Sequence, residues 1–231
     1  KDGGYLVSGI GDSTNIPTQK SYAFLIKLRP SGIVNWSKEY FNGSIYDGTR
    51  FLPATEISSG GYILAYGNCL IRTDVIGNPL WSKFYNSNEF LFVYDVRETT
   101  SGGFEILSEK NLLYGHLQTS ISRVDNNGNE IWSRIFGAGN FNLNPDAFTL
   151  DANGNCFLAA DVQDSLSDNG CLAKIDSTGQ LLWSNTYLTN QQTSFSSIAL
   201  TNDGGIAVGG IIQNAITPTD AGSLYFLKTD G

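Results

Sequence analysis

LAKIDSTGQLLWSNTY, residues 172–187, decides the fold, because its pattern returns along the chain. A basic residue is followed by Asp at the second position, by Gly at the fifth and by Trp four residues after the Gly. The copies are centred on Trp36, Trp81, Trp132 and Trp183, which are separated by 45, 51 and 51 residues. The basic residues are Lys27, Arg72, Arg123 and Lys174, and a fifth copy begins at Lys228. A period of this length is typical of stacked structural repeats.

A second marker is a Gly-containing turn that precedes a short apolar run. It occurs at Gly3-Gly4-Tyr5, Gly60-Gly61-Tyr62, Gly102-Gly103-Phe104, Gly154-Asn155-Cys156 and Gly204-Gly205-Ile206. Together the two markers define five related units, approximately 1–43, 44–88, 89–139, 140–190 and 191–231. The sequence therefore predicts five copies of one supersecondary unit.

Each unit divides into short runs rich in β-branched and aromatic residues and bounded by Asn, Asp and Gly, which is the signature of strands and hairpins. Strand A is predicted over Phe51–Ile57, Val93–Thr99, Ala147–Leu150 and Ser197–Leu200. Strand B is predicted over Tyr5–Gly9, Tyr62–Tyr66, Phe104–Leu107, Cys156–Ala160 and Ile206–Gly210. Strand C is predicted over Ala23–Leu28, Leu70–Thr73, Ser120–Val124, Leu172–Ile175 and Leu224–Lys228. Strand D is predicted over Val34–Tyr40, Leu80–Tyr85, Ile131–Phe136 and Leu182–Tyr187.

Four strands in each repeat predict an all-β β-propeller of four-stranded antiparallel blades. The first unit lacks strand A and the last lacks strand D, so both end units are incomplete. Because unpaired strand edges invite aggregation, two interpretations stay open. The chain is a single β-propeller domain, a five-bladed ring with incomplete end blades, or it is a fragment of a larger ring and part of a larger polypeptide.

Two stretches carry a family resemblance: Gly9–Thr18 followed by Ala23–Leu28, and Leu150–Asn155 leading to Ala173–Asp176. They resemble the bacterial seven-bladed β-propeller repeat, and the resemblance covers nearly the whole chain. The step from Gly to Trp also resembles the tryptophan-docking motif of quinoprotein propellers. Members of the bacterial repeat family are parts of secreted or surface proteins, so the resemblance implies that location. It implies no catalytic residues.

Composition narrows the function classes. The formal net charge of −8 is a poor electrostatic footprint for nucleic acid, and no apolar run approaches the length that spans a bilayer. We therefore expect neither a nucleic-acid partner nor membrane insertion, and no cofactor motif is evident. Cys69, Cys156 and Cys171 have no zinc-ligand spacing and are interpreted as small buried hydrophobic residues.

Candidate catalytic residues are few. His116 is the only histidine, which excludes multi-histidine metal centres and leaves either a lone catalytic base or a loop residue. Asp47, Asp95 and Asp146 are predicted at or just before the start of a strand A, near a channel mouth, where paired acids would hydrolyse a glycosidic bond. The simpler interpretation is that they hydrogen-bond the connection between blades. Asp125–Asn129 and Asp151–Asn155 resemble calcium loops but fit turns better.

The strand order places the A–B and C–D turns at one end of each unit and the B–C and D–A loops at the other. The second set varies in length, from Gly67–Cys69 to Gly11–Ser21 and Val162–Gly170, and function in repeat proteins gathers where such insertions lie. Candidate ligand-binding residues there are Asp12, Asn15, Tyr46, Phe90, Tyr114, His116, Phe141, Asp164, Asp168, Gln191 and Gln213. The sequence favours a non-enzymatic module that binds protein or glycan. A glycoside hydrolase and a spacer in an adhesin or filament remain alternatives.

Overall fold

The computed structural model of this protein describes residues 2–13, 20–41, 52–85, 92–111, 117–137, 142–163, 168–187, 192–213 and 222–229. Within these ranges the chain forms strands and turns and no helix. Consequently none of the described segments is a helix that could cross a membrane.

The strands form five sheets, and in each sheet they lie side by side in chain order. Sheet 1 contains β1 (Tyr5–Ser13), β2 (Lys20–Leu28) and β3 (Val34–Tyr40). Sheet 2 contains β4 (Ala54–Glu56), β5 (Tyr62–Tyr66), β6 (Cys69–Thr73) and β7 (Pro79–Phe84). Sheet 3 contains β8 (Phe92–Glu98), β9 (Phe104–Asn111), β10 (Leu117–Val124) and β11 (Glu130–Phe136). Sheet 4 contains β12 (Asn142–Leu150), β13 (Cys156–Gln163), β14 (Asp168–Ile175) and β15 (Leu181–Tyr187). Sheet 5 contains β16 (Gln192–Leu200), β17 (Ile206–Gln213) and β18 (Ser223–Thr229).

This arrangement confirms the predicted all-β class and the antiparallel sheets of four strands, with three strands in the first and last units. It is consistent with a propeller-like fold, and no closed sheet occurs among the described strands. Strands β3 and β5 have the predicted bounds, and most of the other strands begin or end within a few residues of theirs.

The hairpins between strands B and C are longer than predicted. Asp12 pairs with Ser21 in β1 and β2, and Asp168 pairs with Gln163 in β14 and β13. The placement of Asp12 and Asp168 in loops was therefore wrong. Backbone hydrogen bonds extend an antiparallel ladder whatever the side chains are, so the apolar pattern ended before the strands did.

The chain forms two compact units, residues 1–98 and 99–231, and the boundary falls between β8 and β9. In the first unit, Leu25 and Tyr40 of sheet 1 share an apolar core with Tyr62 and Leu64 of sheet 2. In the second compact unit, residues 99–231, an apolar core lies between sheets 4 and 5. It contains Phe157, Ala159, Leu172, Phe195, Ile206 and Val208. Each of these two cores therefore lies between the faces of two consecutive sheets within one compact unit.

Candidate functional site

The repeated Gly and Trp join consecutive sheets. Gly77 and Gly179 lie in the C–D turns of sheets 2 and 4 with φ angles of +81° and +86°. Positive φ angles of this size favour glycine. The ring of Trp36 in sheet 1 lies against Gly77, where an added Cβ would come within 2.8 Å of it. Trp132 of sheet 3 lies against Gly179 in the same way. These residues therefore build the fold, as the repeat pattern predicts.

The repeated basic residues also have partners in the fold. Lys27 forms an ion pair of 2.9 Å with Asp2, and Lys228 pairs with Asp203. Arg123 donates a hydrogen bond of 2.7 Å to the carbonyl oxygen of Ser177. The ammonium of Lys174 lies 4.8 Å from the centre of the Phe157 ring, a cation–π contact. Arg72 donates a hydrogen bond of 3.2 Å to the Ser59 hydroxyl. All five repeated cations therefore have partners in the fold, and the identity of the partner varies from one unit to the next.

The Asp-containing turns use their carboxylates internally. Asp125 accepts backbone hydrogen bonds of 2.8 Å from both Asn127 and Asn129, and a third from the Asn129 side chain. Asp151 accepts the equivalent three bonds from Asn153 and Asn155. Because these oxygens are occupied by N–H donors, the geometry supports the turn interpretation over a calcium loop. Within the described ranges, no three His, Cys, Asp or Glu side chains gather as a metal site.

Many of the sequence-predicted site residues lie outside the described residues. These are Asn15, Tyr46, Asp47, Phe90, Tyr114, His116, Phe141, Asp164 and Gln191. Asp12 and Asp168 are placed only by their backbone, in β1 and β14. Gln213 is an exposed residue that ends β17.

Asp95 and Asp146 both lie inside a strand A. The prediction that they stand at or before strand starts was therefore wrong, because β8 and β12 begin earlier than the apolar pattern does. Asp95 accepts a hydrogen bond of 2.9 Å from Arg97. Burial raises the pKa of Asp95, and Arg97 opposes that rise.

Asp146 has a carboxyl partner that the repeat pattern did not identify. It occupies a β-bulge between Pro145 and Ala147 in β12 and hydrogen-bonds Asp161 of β13. A hydrogen bond between two carboxyl groups requires a proton on one of them. Burial, and then the negative charge of Asp161, raise the pKa of Asp146, so Asp146 holds that proton.

Asp161 in turn ties sheet 4 to sheet 5. One of its oxygens accepts the Ser194 hydroxyl at 2.6 Å and the other accepts the Phe195 backbone N–H at 3.0 Å. Both carboxylate oxygens of Asp161 therefore accept hydrogen bonds from residues of β16. We call Asp146, Asp161 and Ser194 the carboxyl clasp.

A cavity of about 240 Å³, with polar and apolar walls in similar proportion, lies beside the clasp, at the end of sheet 5 where the B–C loop begins. Gln192 stands directly opposite Gln213, and Ser194 stands opposite Ile211, so the four side chains share one face of the sheet. Thr193 completes the lining. The cavity thus combines two amides and a hydroxyl with one apolar wall. Gln213 lines the cavity, which lies at the B–C and D–A loop end of the fifth repeat unit, where the sequence predicts ligand binding.

A second cavity of similar volume, about 240 Å³, has mostly apolar walls. Phe136 and Leu143 line one side, and Leu158, Val162 and Cys171 line another. Burial raises the pKa of the Cys171 thiol, which lowers its reactivity. Cys69 and Cys156 are buried as predicted, whereas Cys171 is only partly buried.

Sequence reasoning missed Asp161, Ser194 and Gln192. One further buried acid, Glu105, carried a readable signal, because its position in strand B is apolar in the other four units. The equivalents are Leu6, Ile63, Phe157 and Ala207. By contrast, nothing in the sequence pairs Asp146 with Asp161, since a bulge and a fold-specific contact bring them together.

With this geometry in place, comparisons with solved structures define the class of protein as a propeller-like fold. Hydrazine synthase of Kuenenia stuttgartiensis matches with a TM-score of 0.65 and 10% identity, over 91% of this chain and 60% of that one. A protein of unknown function from Bacteroides caccae matches with a TM-score of 0.56 and 14% identity, over 98% and 73%. Puromycin hydrolase matches with a TM-score of 0.55 and 12% identity, over 94% and 37%.

These neighbours share the fold and little sequence. This chain matches less than two thirds of the hydrazine synthase chain and little more than a third of the puromycin hydrolase chain. No protein-family model matches the sequence, and no curated protein matches it either. The resemblance to a particular bacterial repeat family stays a prediction.

Proposed function

We propose that this chain is a non-enzymatic binding and scaffolding module of a secreted or cell-surface protein, which holds its ligand at the B–C and D–A loop end. One observation carries the proposal. The repeated Trp, Gly, Asp and basic residues contact other residues of the fold. The non-repeated side chains of Gln192, Ser194 and Gln213 instead line a cavity at that end. A scaffold whose joints repeat from unit to unit and whose loop ends differ is suited to recognition.

The chemistry of the cavity favours a glycan as the ligand. Each glutamine amide offers both donors and an acceptor, which suits neighbouring sugar hydroxyls. The Ser194 hydroxyl donates its proton to Asp161, so its lone pairs are oriented to accept from a ligand. Ile211 supplies an apolar wall for the C–H face of a sugar ring. The formal charge of −8 argues against an anionic glycan.

Hydrolysis is the second candidate, and the carboxyl clasp is where it would be expected. Glycosidase acids stand about 5–9.5 Å apart, so that a sugar or a water fits between them. Asp146 and Asp161 are instead in hydrogen-bond contact, and both oxygens of Asp161 are occupied by β16. Part of a puromycin hydrolase chain has a similar fold, which keeps hydrolysis as a candidate, but this carboxyl pair favours a structural role over catalysis.

A glycan array tests the proposal. We expect the wild-type chain to bind neutral glycans and the double variant Gln192→Ala/Gln213→Ala to lose at least tenfold in affinity. The matched control is Gln180→Ala, an exposed glutamine in the C–D turn at the opposite end of its sheet, which should bind as wild type does. Equal binding by the double variant, binding of a protein partner only, or turnover of a glycoside would contradict the proposal.

A further inference from the structure

A row of small side chains crosses sheet 4 at the cavity that Phe136 and Cys171 line, which we call the apolar cavity. Pro145 in β12 pairs with Ala160 in β13, and Ala160 pairs with Cys171 in β14. Residues that pair directly across strands share one face of a sheet, so these three side chains lie side by side. The row therefore presents little side-chain volume on this face.

The equivalent row of sheet 5 carries two aromatic rings. Phe195 in β16 pairs with Gly210 in β17, and Gly210 pairs with Tyr225 in β18. The rings of Phe195 and Tyr225 are stacked, with their centres 6.3 Å apart. Tyr187, at the end of β15 in sheet 4, contacts Phe195 edge to face at 5.8 Å. Phe195 belongs to the core between sheets 4 and 5, and the other two rings pack against that core.

The repeat places the two rows at the same level of their sheets. Cys171 and Tyr225 each lie three residues before the repeated basic residue. Pro145 and Phe195 each stand just before the β-bulge of strand A, paired with the fifth residue of strand B. Sheet 4 therefore has a proline and a cysteine where sheet 5 has two aromatic rings.

The other walls of the apolar cavity follow the pattern of the filled space between sheets 4 and 5. Phe136 of sheet 3 lies four residues after its repeated Trp, as Tyr187 does in sheet 4. Ala173, which also lines the cavity, stands where sheet 5 has Leu227, one residue before the repeated basic residue. The cavity of about 240 Å³ therefore lies where larger side chains fill the next space between sheets.

We propose that the apolar cavity binds a small neutral aromatic molecule, which takes the place that the rings of Phe195 and Tyr225 take between sheets 4 and 5. An apolar cavity of about 150 Å³ is enough to bind benzene, so this one admits a substituted ring. None of the described residues that line it is charged, so an ionised ligand would lose its hydration without a partner. The lining residues Ser184 and Thr186 of β15 are exposed, which leaves an opening to solvent. The site lies between other sheets than the glycan cavity and does not depend on it.

Titration with p-cresol, the side-chain analogue of tyrosine, and with toluene tests the proposal. The chain carries ¹³C-labelled Leu and Val methyl groups, and NMR follows their shifts. We expect saturable shifts at Leu143, Leu158 and Val162, which line the cavity, and a higher midpoint of thermal unfolding with either probe. Benzoate, a similar ring with a charge, should bind at least tenfold more weakly because the charge is desolvated. Binding of neither neutral probe, or saturable shifts only at other methyl groups, overturns the proposal.

Variants that fill the cavity locate the bound probe. Cys171→Tyr supplies the ring that Tyr225 supplies in sheet 5 and should weaken p-cresol binding at least tenfold. Ala173→Leu, which copies Leu227, fills the cavity from the neighbouring row and decides the question if the tyrosine variant is not folded by circular dichroism. The matched control Cys171→Ala removes the thiol and leaves the cavity open, so it should bind p-cresol as the wild type does. Unchanged binding in the folded filling variants, or an equal loss in Cys171→Ala, would overturn the proposal.

Discussion

At the scale of a single residue, Glu105 is an acid in a position built for an apolar side chain. It is fully buried in strand β9, and the Nε of Arg123 is 3.9 Å from its carboxylate. That pair is long because Arg123 also donates to the carbonyl oxygen of Ser177. Burial raises the pKa of Glu105 to about 7, and Arg123 and the Cys156 thiol only partly offset that rise.

The raised pKa makes stability depend on pH. Between pH 4.5, the ordinary pKa, and about 7, the folded chain keeps the Glu105 proton while the unfolded chain loses it. The free energy of unfolding therefore falls as the pH rises through this window and is level above it. Glu105→Gln cannot ionise. From the lower to the upper end of the window, we therefore expect its free energy of unfolding to rise by about 1–3 kcal/mol relative to that of the wild type. Urea denaturation at a series of pH values measures this, and parallel curves for the two proteins would exclude it.

At the scale of strands, the carboxyl clasp predicts an asymmetry between its two acids. In Asp146→Asn the amide N–H replaces the proton that Asp146 shares with Asp161, so the hydrogen bond survives. In Asp161→Asn the carboxylate that accepts from Ser194 and Phe195 is lost. We expect Asp146→Asn to change the free energy of unfolding at neutral pH by less than about 1 kcal/mol and Asp161→Asn to lower it by about 1–3 kcal/mol.

Thermal and urea denaturation of both variants measure the difference. Ser194→Ala, which removes one of the two bonds to Asp161, should lie between them. Combining it with Asp161→Asn should add less than the sum of the two single effects, because the residues share one interaction. Equal losses of unfolding free energy in the two Asp variants would contradict the prediction that Asp161 contributes more than Asp146.

Strands are also the scale at which sequence reasoning worked best. The two repeat markers predicted five units, and five sheets occur among the described strands. The repeat is readable because its residues hold sheets together, as Trp36 does at Gly77 and Trp132 does at Gly179. Strand ends near the B–C loops were missed because polar residues such as Asp12 and Asp168 continue the ladder through their backbones. Candidate site residues were harder to predict. Asp161 meets Ser194 across two sheets, a contact fixed by the stacking distance and by a bulge that no local pattern encodes.

At the scale of the whole molecule, each compact unit contains the same kind of contact between two consecutive sheets. Trp36 joins sheet 1 to sheet 2 at Gly77, and Trp132 joins sheet 3 to sheet 4 at Gly179. In such arrays stability is approximately a sum of repeat terms and nearest-neighbour terms. Damage at one joint should therefore loosen the sheets that meet there and leave the other compact unit unchanged.

Gly77 and Gly32 form a matched pair for this prediction, since their φ angles are +81° and +80°. Alanine at Gly32 meets open space and carries only the backbone penalty of about 1–2 kcal/mol. Alanine at Gly77 would press on Trp36 and Lys38, which adds about 1–3 kcal/mol of overpacking. We expect hydrogen exchange in Gly77→Ala to accelerate in sheets 1 and 2 and to stay unchanged in residues 99–231, with a smaller effect in Gly32→Ala. Equal acceleration in both variants would show that the tryptophan contact does not join the sheets, and acceleration throughout residues 99–231 would show that the joints do not act locally.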